Sequence, residues 1–311
     1  MKIKITTENA GKRLDVFLAE TLAEQSRSQL QKIIKQGLVK INEKIVTPHY
    51  NLKEDDEVEV LSTTKQEKTK EIAKKVKVQM PKIEIVKETE DYLVINKVAG
   101  LIVHGDKHIT EATLADVLVK KFPEIKKIGD DPFRPGIVHR LDKDVSGLMV
   151  VARTQKFFEH IKKQFQNRTT DKKYTALVFG KIVKDELTID FPIERSVSGH
   201  KMASRPNNQG GRTAISKVNV LQRFINYTLV RVQIITGRTH QVRTHLAAYG
   251  NPIVGDNIYA TKTTKEKNKK LNTGRVYLVA DELSFKDLQG ERQSFKIELP
   301  EEFKELLGKI K

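Results

Sequence analysis

Two stretches of this 311-residue chain concentrate the side chains able to do chemistry. The first runs Arg134-Pro135-Gly136-Ile137-Val138-His139-Arg140-Leu141-Asp142-Lys143-Asp144-Val145-Ser146-Gly147 and passes into the apolar run Leu148–Val151. A polar turn carrying Arg140, Asp142 and Ser146 beside a buried strand is where a fold displays functional groups to a substrate. The same residues also make an ion-paired turn, with Asp142 or Asp144 capping backbone N–H groups, and residue chemistry alone favours that plainer reading. The second stretch is Ile235-Thr236-Gly237-Arg238-Thr239-His240-Gln241-Val242-Arg243-Thr244-His245. Arg238 stands near an expected helix N-terminus, where its cation and the helix dipole both favour an anion, and Arg243 falls on the helix body. A carboxylate from the first stretch or a phosphate satisfies either, and a solvated basic helix is the alternative. His240 and His245 are five apart, whereas a helical zinc pair needs i, i+4 and a third ligand, so a metal site is not expected.

Other chemistries are absent from the sequence. There is no cysteine, which excludes a disulfide scaffold, thiolate catalysis and Cys-ligated metals. No G-x-x-x-x-G-K-[ST], G-x-G-x-x-G or G-x-S-x-G stretch occurs, so nothing calls for ATP, a nicotinamide or another cofactor. Lys and Arg number 57 against 40 Asp and Glu, a formal net charge of +17. Such a surplus of cations fits phosphate neutralisation on a nucleic acid. It fits an anionic membrane less well, because no basic amphipathic helix with aromatic anchors is evident. Without an apolar stretch of membrane length or a signal-peptide core, the expectation is a soluble cytoplasmic protein.

The elements that must position these residues fall in two parts. In the first, Leu14, Phe17, Leu18 and Leu22 share a helix face. A second helix opens at Ser26 with Gln29 completing a capping box, carries Leu30, Ile33 and Ile34, and ends at Gly37. Strands follow at residues 38–42, turning at Asn42-Glu43-Lys44, and at 57–60. The Lys-rich stretch after Ser62, with little hydrophobicity and no core periodicity, reads as a linker. In the second part, Tyr92–Asn96, Lys173–Phe179 and Leu229–Ile235 read as strands. Thr154 caps a helix with the stripe Phe157, Phe158, Ile161 and Phe165. A short helix runs through Val242 and Leu246 to Gly250, stopped by Pro252. Residues 261–275 are expected to form a mobile basic loop.

At this point a family resemblance emerges. HRLDKDVSGLMVVART, from His139 to Thr154, resembles the signature of the RluA-type pseudouridine synthases. So do Tyr92–His104, the tyrosine strand Lys173–Val178, Leu229–Leu246 with T-G-R-T-H-Q-V-R, and Pro252–Asp256, all in the expected order. The first part, with Ser26-Arg27-Ser28 and Gly37–Asn42, resembles an S4 RNA-binding domain. Val98, Val145 and Leu278-Val279-Ala280 depart from the family pattern, and Val145 lacks a hydroxyl that would tie down the turn.

The resemblance implies an α+β fold: a pseudouridine synthase catalytic domain at 82–311, with a long mixed, largely antiparallel sheet and surrounding helices. A basic linker at 63–81 and an S4-like α/β RNA-binding domain at 1–62 precede it. It implies an isomerase that turns uridine into pseudouridine without a cofactor or metal. The GHKMAS and PIVGD segments lean towards members acting on large-subunit (23S) ribosomal RNA, free or in a pre-ribosomal particle, and a monomer is expected. Asp142 holds the nucleophile's position, although residue chemistry alone does not separate it from Asp144, nor attack at C1′ from attack at C6 or glycal formation. Arg238 is expected to pair with that carboxylate. Tyr174 is expected to stack on uracil and help remove the C5 proton, unless it is an ordinary core aromatic. Arg140 fills the gap left by a flipped nucleotide. His139, Arg243, Arg27, Lys32 and Lys35 are expected to contact RNA.

Overall fold

Contacts divide the chain into two units, Met1–Val78 and Gln79–Lys311. The computed structural model describes residues 2–22, 30–31, 33–34, 37–60, 83–105, 111–196, 201–204 and 210–310. The expected contacts of Arg27, Lys32 and Lys35, the Ser26–Gln29 capping box and the linker at 63–81 lie outside these residues.

The first unit joins strand β1 (Lys2–Lys4), helix α1 (Leu14–Thr21), β2 (Val39–Ile41), β3 (Lys44–Ile45) and β4 (Glu57–Val60). The strands form an antiparallel sheet in the order β1-β4-β2-β3. Asn42 and Glu43 both take positive φ, the backbone that lets a two-residue turn match the strand twist. Leu14, Phe17 and Leu18 pack with Leu30, Ile34, Val39, Ile41 and Val58 in one apolar cluster. Each aliphatic side chain buried so contributes about 1.5–3 kcal/mol against the entropy of ordering the chain.

The second unit begins with β5 (Glu84–Glu88), β6 (Tyr92–Lys97), α2 (Leu114–Lys121), β7 (Ser146–Ala152) and α3 (Gln155–Gln166). It continues with β8 (Asp171–Phe179), β9 (Glu186–Ile189), β10 (Ile193–Arg195), β11 (Met202–Ser204), β12 (Ser216–Arg223) and β13 (Tyr227–Ile234). Helices α4 (Gln241–Ala248) and α5 (Lys262–Lys270), strands β14 (Leu278–Lys286) and β15 (Arg292–Lys296) and helix α6 (Glu301–Lys309) complete it. The expected basic loop at 261–275 is therefore largely helical. Thr261 caps α5 by accepting the Thr264 N–H, while Thr264 and Asn268, one turn apart, are buried.

Nine strands make one mixed sheet in the order β5-β6-β7-β14-β8-β13-β12-β9, with β15 on the side of β14. The β7–β14 pairing is parallel and the others are antiparallel. Both faces are covered. Leu93, Ile95, Met149, Val151, Tyr174 and Val232 enter one core, while Val94, Val150 and Phe157 enter another on the opposite face. A strand buried on both sides reads as a continuous apolar run, which is why β7 carries so little polar alternation. Thr154 caps α3 through the Phe157 N–H at 3.3 Å, and Phe157, Phe158 and Ile161 turn inward as their spacing requires.

Candidate active site

The turn before β7 is fastened from below. Lys97, at the end of β6, is fully buried and donates to the carbonyls of Val98 (2.8 Å), Leu101 (2.8 Å) and Lys143 (3.2 Å). Burial lowers its pKa to about 8, against the opposing pull of Asp142 and Asp144. The Gly100 N–H adds a second tie to the Lys143 carbonyl at 2.8 Å, and the Val145 N–H closes the turn on the Asp142 carbonyl at 3.2 Å. Val145 itself is buried with Leu141 in the core. Its methyls pack where a hydroxyl would have needed a partner, so this departure leaves the turn intact. Gly147 is required next. A Cβ there would stand 2.3 Å from the Ala280 carbonyl of β14, and its φ of +128° suits no side chain.

The second stretch is organised by Gln241, the first residue of α4. Its side-chain oxygen accepts from Thr236 Oγ1 (2.8 Å) and the Arg238 N–H (3.0 Å), while its amide donates to the Ile215 carbonyl and Ser216 Oγ at 3.0 Å. His240 precedes it in the left-handed region at φ 55°, which turns the chain sharply into the helix. Arg238 thus lies outside the helix, and its Nε donates to the Thr213 carbonyl at 3.0 Å. Arg243 lies in the first turn of α4 and faces the other way. Its Nη1 is 3.4 Å from Asp142 Oδ2. Its Nε and Nη2 clasp both oxygens of Asp256 at 2.6 and 3.0 Å.

This geometry changes the assignment of the arginines. The partner of Asp142 is Arg243, not Arg238, because the turn at 236–240 directs Arg238 towards Thr213. Nor is Arg243 available as an RNA contact, since its side chain is only 2% exposed and engaged by carboxylates. Burial opposes its charge, but the bonds and charge of Asp256, then of Asp142, raise its pKa above the ordinary arginine value. His240 Nε2 stands 3.8 Å from Asp142 Oδ1, and its Nδ1 is 2.8 Å from the Tyr259 hydroxyl. Burial lowers the His240 pKa despite the charge of Asp142. Asp256, Tyr259 and Lys97 were not among the candidate residues. Asp256 and Lys97 each lie in a segment that carries the family resemblance, Pro252–Asp256 and Tyr92–His104, but nothing local to either segment gives the side chain a task.

Asp142, Tyr174, Arg140, Arg238 and Arg243 all line one cleft of about 470 Å³. Tyr174 is both core and cleft wall, buried in the apolar cluster with its ring at the cleft. Burial, then the charge of Asp142, pushes its phenol pKa upward, so it stays protonated and is not a standing base. Arg140 is at the exposed rim, 3.3 Å from His104 Nε2. Lys172, also at the cleft, has a pKa lowered by burial to about 8. Among the described residues, Asp142 is the one acidic side chain lining this cleft, beside six Lys and Arg side chains: Arg134, Arg140, Arg168, Lys172, Arg238 and Arg243.

His139 has an internal task rather than an RNA contact. Its ring stacks on Phe165 at 4.5 Å, and its Nε2 accepts the Val150 N–H at 3.1 Å. Burial, then the charge of Lys172, holds its pKa well below the usual value. As pH falls below about 6.5, the unfolded chain therefore binds a proton at this position that the folded chain refuses. Stability is expected to fall with acidification by as much as roughly 1.4 kcal/mol per pH unit from this ring. The His139→Phe variant should show a flatter acid limb in denaturant titrations from pH 7 to 5. An unchanged slope would mean that the ring already titrates freely in the folded protein.

Residues 91–248 match the family described as RNA pseudouridylate synthase, and residues 12–58 match the S4 domain. An uncharacterized RNA pseudouridine synthase of Aquifex aeolicus is 37% identical over 97% of this chain and 95% of its own length. A ribosomal large subunit pseudouridine synthase D of Haemophilus influenzae is 32% identical over 100% of this chain and 95% of its own. Among solved structures, human RNA pseudouridylate synthase domain containing 1 aligns with a TM-score of 0.58 and 27% identity, covering 70% of this chain and 84% of that one.

Proposed function

Because the chain belongs to the RNA pseudouridylate synthase family and carries an S4 domain ahead of the catalytic one, we propose that it isomerises particular uridines of large-subunit ribosomal RNA with Asp142 as the nucleophilic carboxylate. The observation that carries this reading is the cleft in which Asp142, with Arg243 as its partner, is the one carboxylate among the described lining residues, beside Arg134, Arg140, Arg168, Lys172 and Arg238. A polyanion is drawn to such a cleft, and one carboxylate is left at its floor for the chemistry. The relatives named ribosomal large subunit pseudouridine synthase D support the choice of RNA.

In the reaction the N1–C1′ bond breaks, the uracil turns within the cleft, and C5 joins C1′. The C5 hydrogen leaves as a proton and N1 gains one, so the product is an isomer. Arg243 orients Asp142 and stabilises its charge. The Tyr174 ring offers a flat wall for the base and a protonated hydroxyl that can donate. A uridine within a stack exposes neither C1′ nor its base face, so the nucleotide must flip outward. Arg140, at the exposed rim, has the planar cation to stack where the nucleotide was. The protein acts as a monomer in the cytoplasm, on ribosomal RNA or a pre-ribosomal particle.

Pseudouridine mapping of total RNA, from cells with and without this chain, tests the substrate. Loss of signal at one or a few large-subunit uridines is the expected result. Loss confined to transfer RNA, or no loss, overturns the assignment. A second measurement concerns the domains. Residues 79–311 hold Asp142, Tyr174 and Arg243, so this fragment should still form pseudouridine at high concentration. Without Arg27, Lys32 and Lys35 as phosphate contacts, its affinity for the same RNA should fall by about tenfold or more, because linked sites raise each other's effective concentration. Unchanged affinity would remove the RNA-binding role from the first unit.

A further inference from the structure

Helix α5 carries Lys262, Lys265, Lys267, Lys269 and Lys270 against a single acid, Glu266. All five lysines are exposed, and among the described residues none makes an ion pair. Five like charges on nine residues repel one another, and Lys262 also opposes the helix dipole at its first turn. The helix nonetheless forms, because its other face is anchored. Thr264 and Asn268 are buried, and Asn268 Oδ1 accepts the Gly255 N–H at 2.8 Å. Gly255 is the residue before Asp256, whose carboxylate clasps Arg243. A side chain at Gly255 would collide with the Arg275 carbonyl at 1.9 Å, so this turn has little freedom to shift. The lysines are therefore held in a fixed relation to the reacting carboxylate.

We propose that α5 is a phosphate-binding platform for substrate RNA, gripping the backbone outside the catalytic cleft. This rests on the reading of the chain as an RNA-modifying enzyme and adds a second contact surface to it. Lys262, Lys265 and Lys269 recur at i, i+3 and i+7 and form one stripe about 10 Å long. Lys267 and Lys270 form another row, with Lys267 Nζ 5.8 Å from the Phe179 ring. A stripe of exposed ammonium groups on a rigid element suits the regularly spaced charges of a polynucleotide and reads no bases. RNA bound there would offset the repulsion that the free helix carries.

The test compares the full-length protein with its Lys262→Gln/Lys265→Gln/Lys269→Gln variant, binding a fluorescently labelled transcript of bacterial large-subunit ribosomal RNA. Affinity is expected to fall about tenfold near physiological salt, and the slope of log affinity against log salt to become shallower by about two to three. The corresponding triple arginine variant should bind as the wild type does. Should the glutamine variant unfold, Glu266→Gln supplies the check in the opposite direction, with tighter binding expected. Unchanged affinity and salt slope in the folded glutamine variant, or in Glu266→Gln, overturns the proposal. So does RNA affinity that is unaffected while retention on phosphatidylserine vesicles depends on the lysines. Pseudouridine formation by the wild-type chain is scored on the same transcript. A lysine effect without pseudouridine would sink the enzymatic reading alone, and pseudouridine without a lysine effect would sink this inference alone.

Discussion

Asp142→Asn is expected to lower turnover by roughly 10³-fold or more while RNA affinity stays within several-fold. The amide keeps the size of the side chain and can still face Arg243, but it lacks the anionic oxygen that the proposed nucleophile requires. The fold should tolerate the change, because Arg243 keeps its two bonds to Asp256 and the turn is fastened through the backbone by Lys97. Single-turnover assays at saturating enzyme separate this loss of chemistry from a loss of binding. Substantial turnover by a variant verified free of deamidation would pass the nucleophile's role to Asp144, whose Oδ2 lies 4.0 Å from Arg243 Nη2.

The two arginines should behave very differently. Arg243→Met removes a buried fork and leaves Asp256 buried, still accepting the Ile258 and Tyr259 N–H groups but without its counter-charge. Breaking a buried pair from one side costs about 3–5 kcal/mol, which lowers the melting temperature of a unit this size by roughly 10 °C. Turnover of the surviving folded protein should fall by about 10²-fold or more, since Asp142 loses both its orientation and its counter-charge. Arg243→Lys should be intermediate, because an ammonium cannot span both Asp256 oxygens and reach Asp142. Arg238→Ala should change stability by less than about 1 kcal/mol, as it loses one bond to a carbonyl at a partly exposed site. The reverse ranking of Arg238 and Arg243 in paired unfolding and turnover assays would contradict the geometry.

The contacts behind that ranking are only partly legible in the sequence. Asp142 and Tyr174 stand out because each sits in a distinctive local string, and the structure brings both to one cleft. Thr154 and its helix stripe were legible for the same reason: capping and period are local properties. The choice between Arg238 and Arg243 was not local. It depends on His240 entering the left-handed region and on Gln241 pinning the turn, neither of which composition or spacing reveals. Asp256 was invisible as a partner because its fork closes on a helix that only the fold brings near. Helix α5 was misread because its lysines argue for a solvated loop, while the two residues that dock it, Thr264 and Asn268, are polar and leave no hydrophobic stripe. His139, expected at RNA, is turned inward, where it accepts the Val150 N–H of β7 and stacks on Phe165.

The position of β14 has a consequence for when the enzyme can become active. Ala280 of this strand pairs with Gly147 on one side and with Tyr174 on the other. The strand therefore separates the β7 end, where the Asp142 turn begins, from the tyrosine of β8 by two strand spacings, roughly 10 Å. Every residue before Leu278 can be synthesised while this slot is still empty. A nascent chain then holds β7 and β8 as two unjoined edges, with the carboxylate and the aromatic wall unregistered. Closing the slot joins positions more than a hundred residues apart, as between Ser146 and Val279, and contacts of that span form late because the loop entropy must be met first. The catalytic cleft is thus assembled by a strand that follows every other strand of its sheet except β15. A chain that lacks β14 therefore has the Asp142 turn without the register that sets it opposite Tyr174.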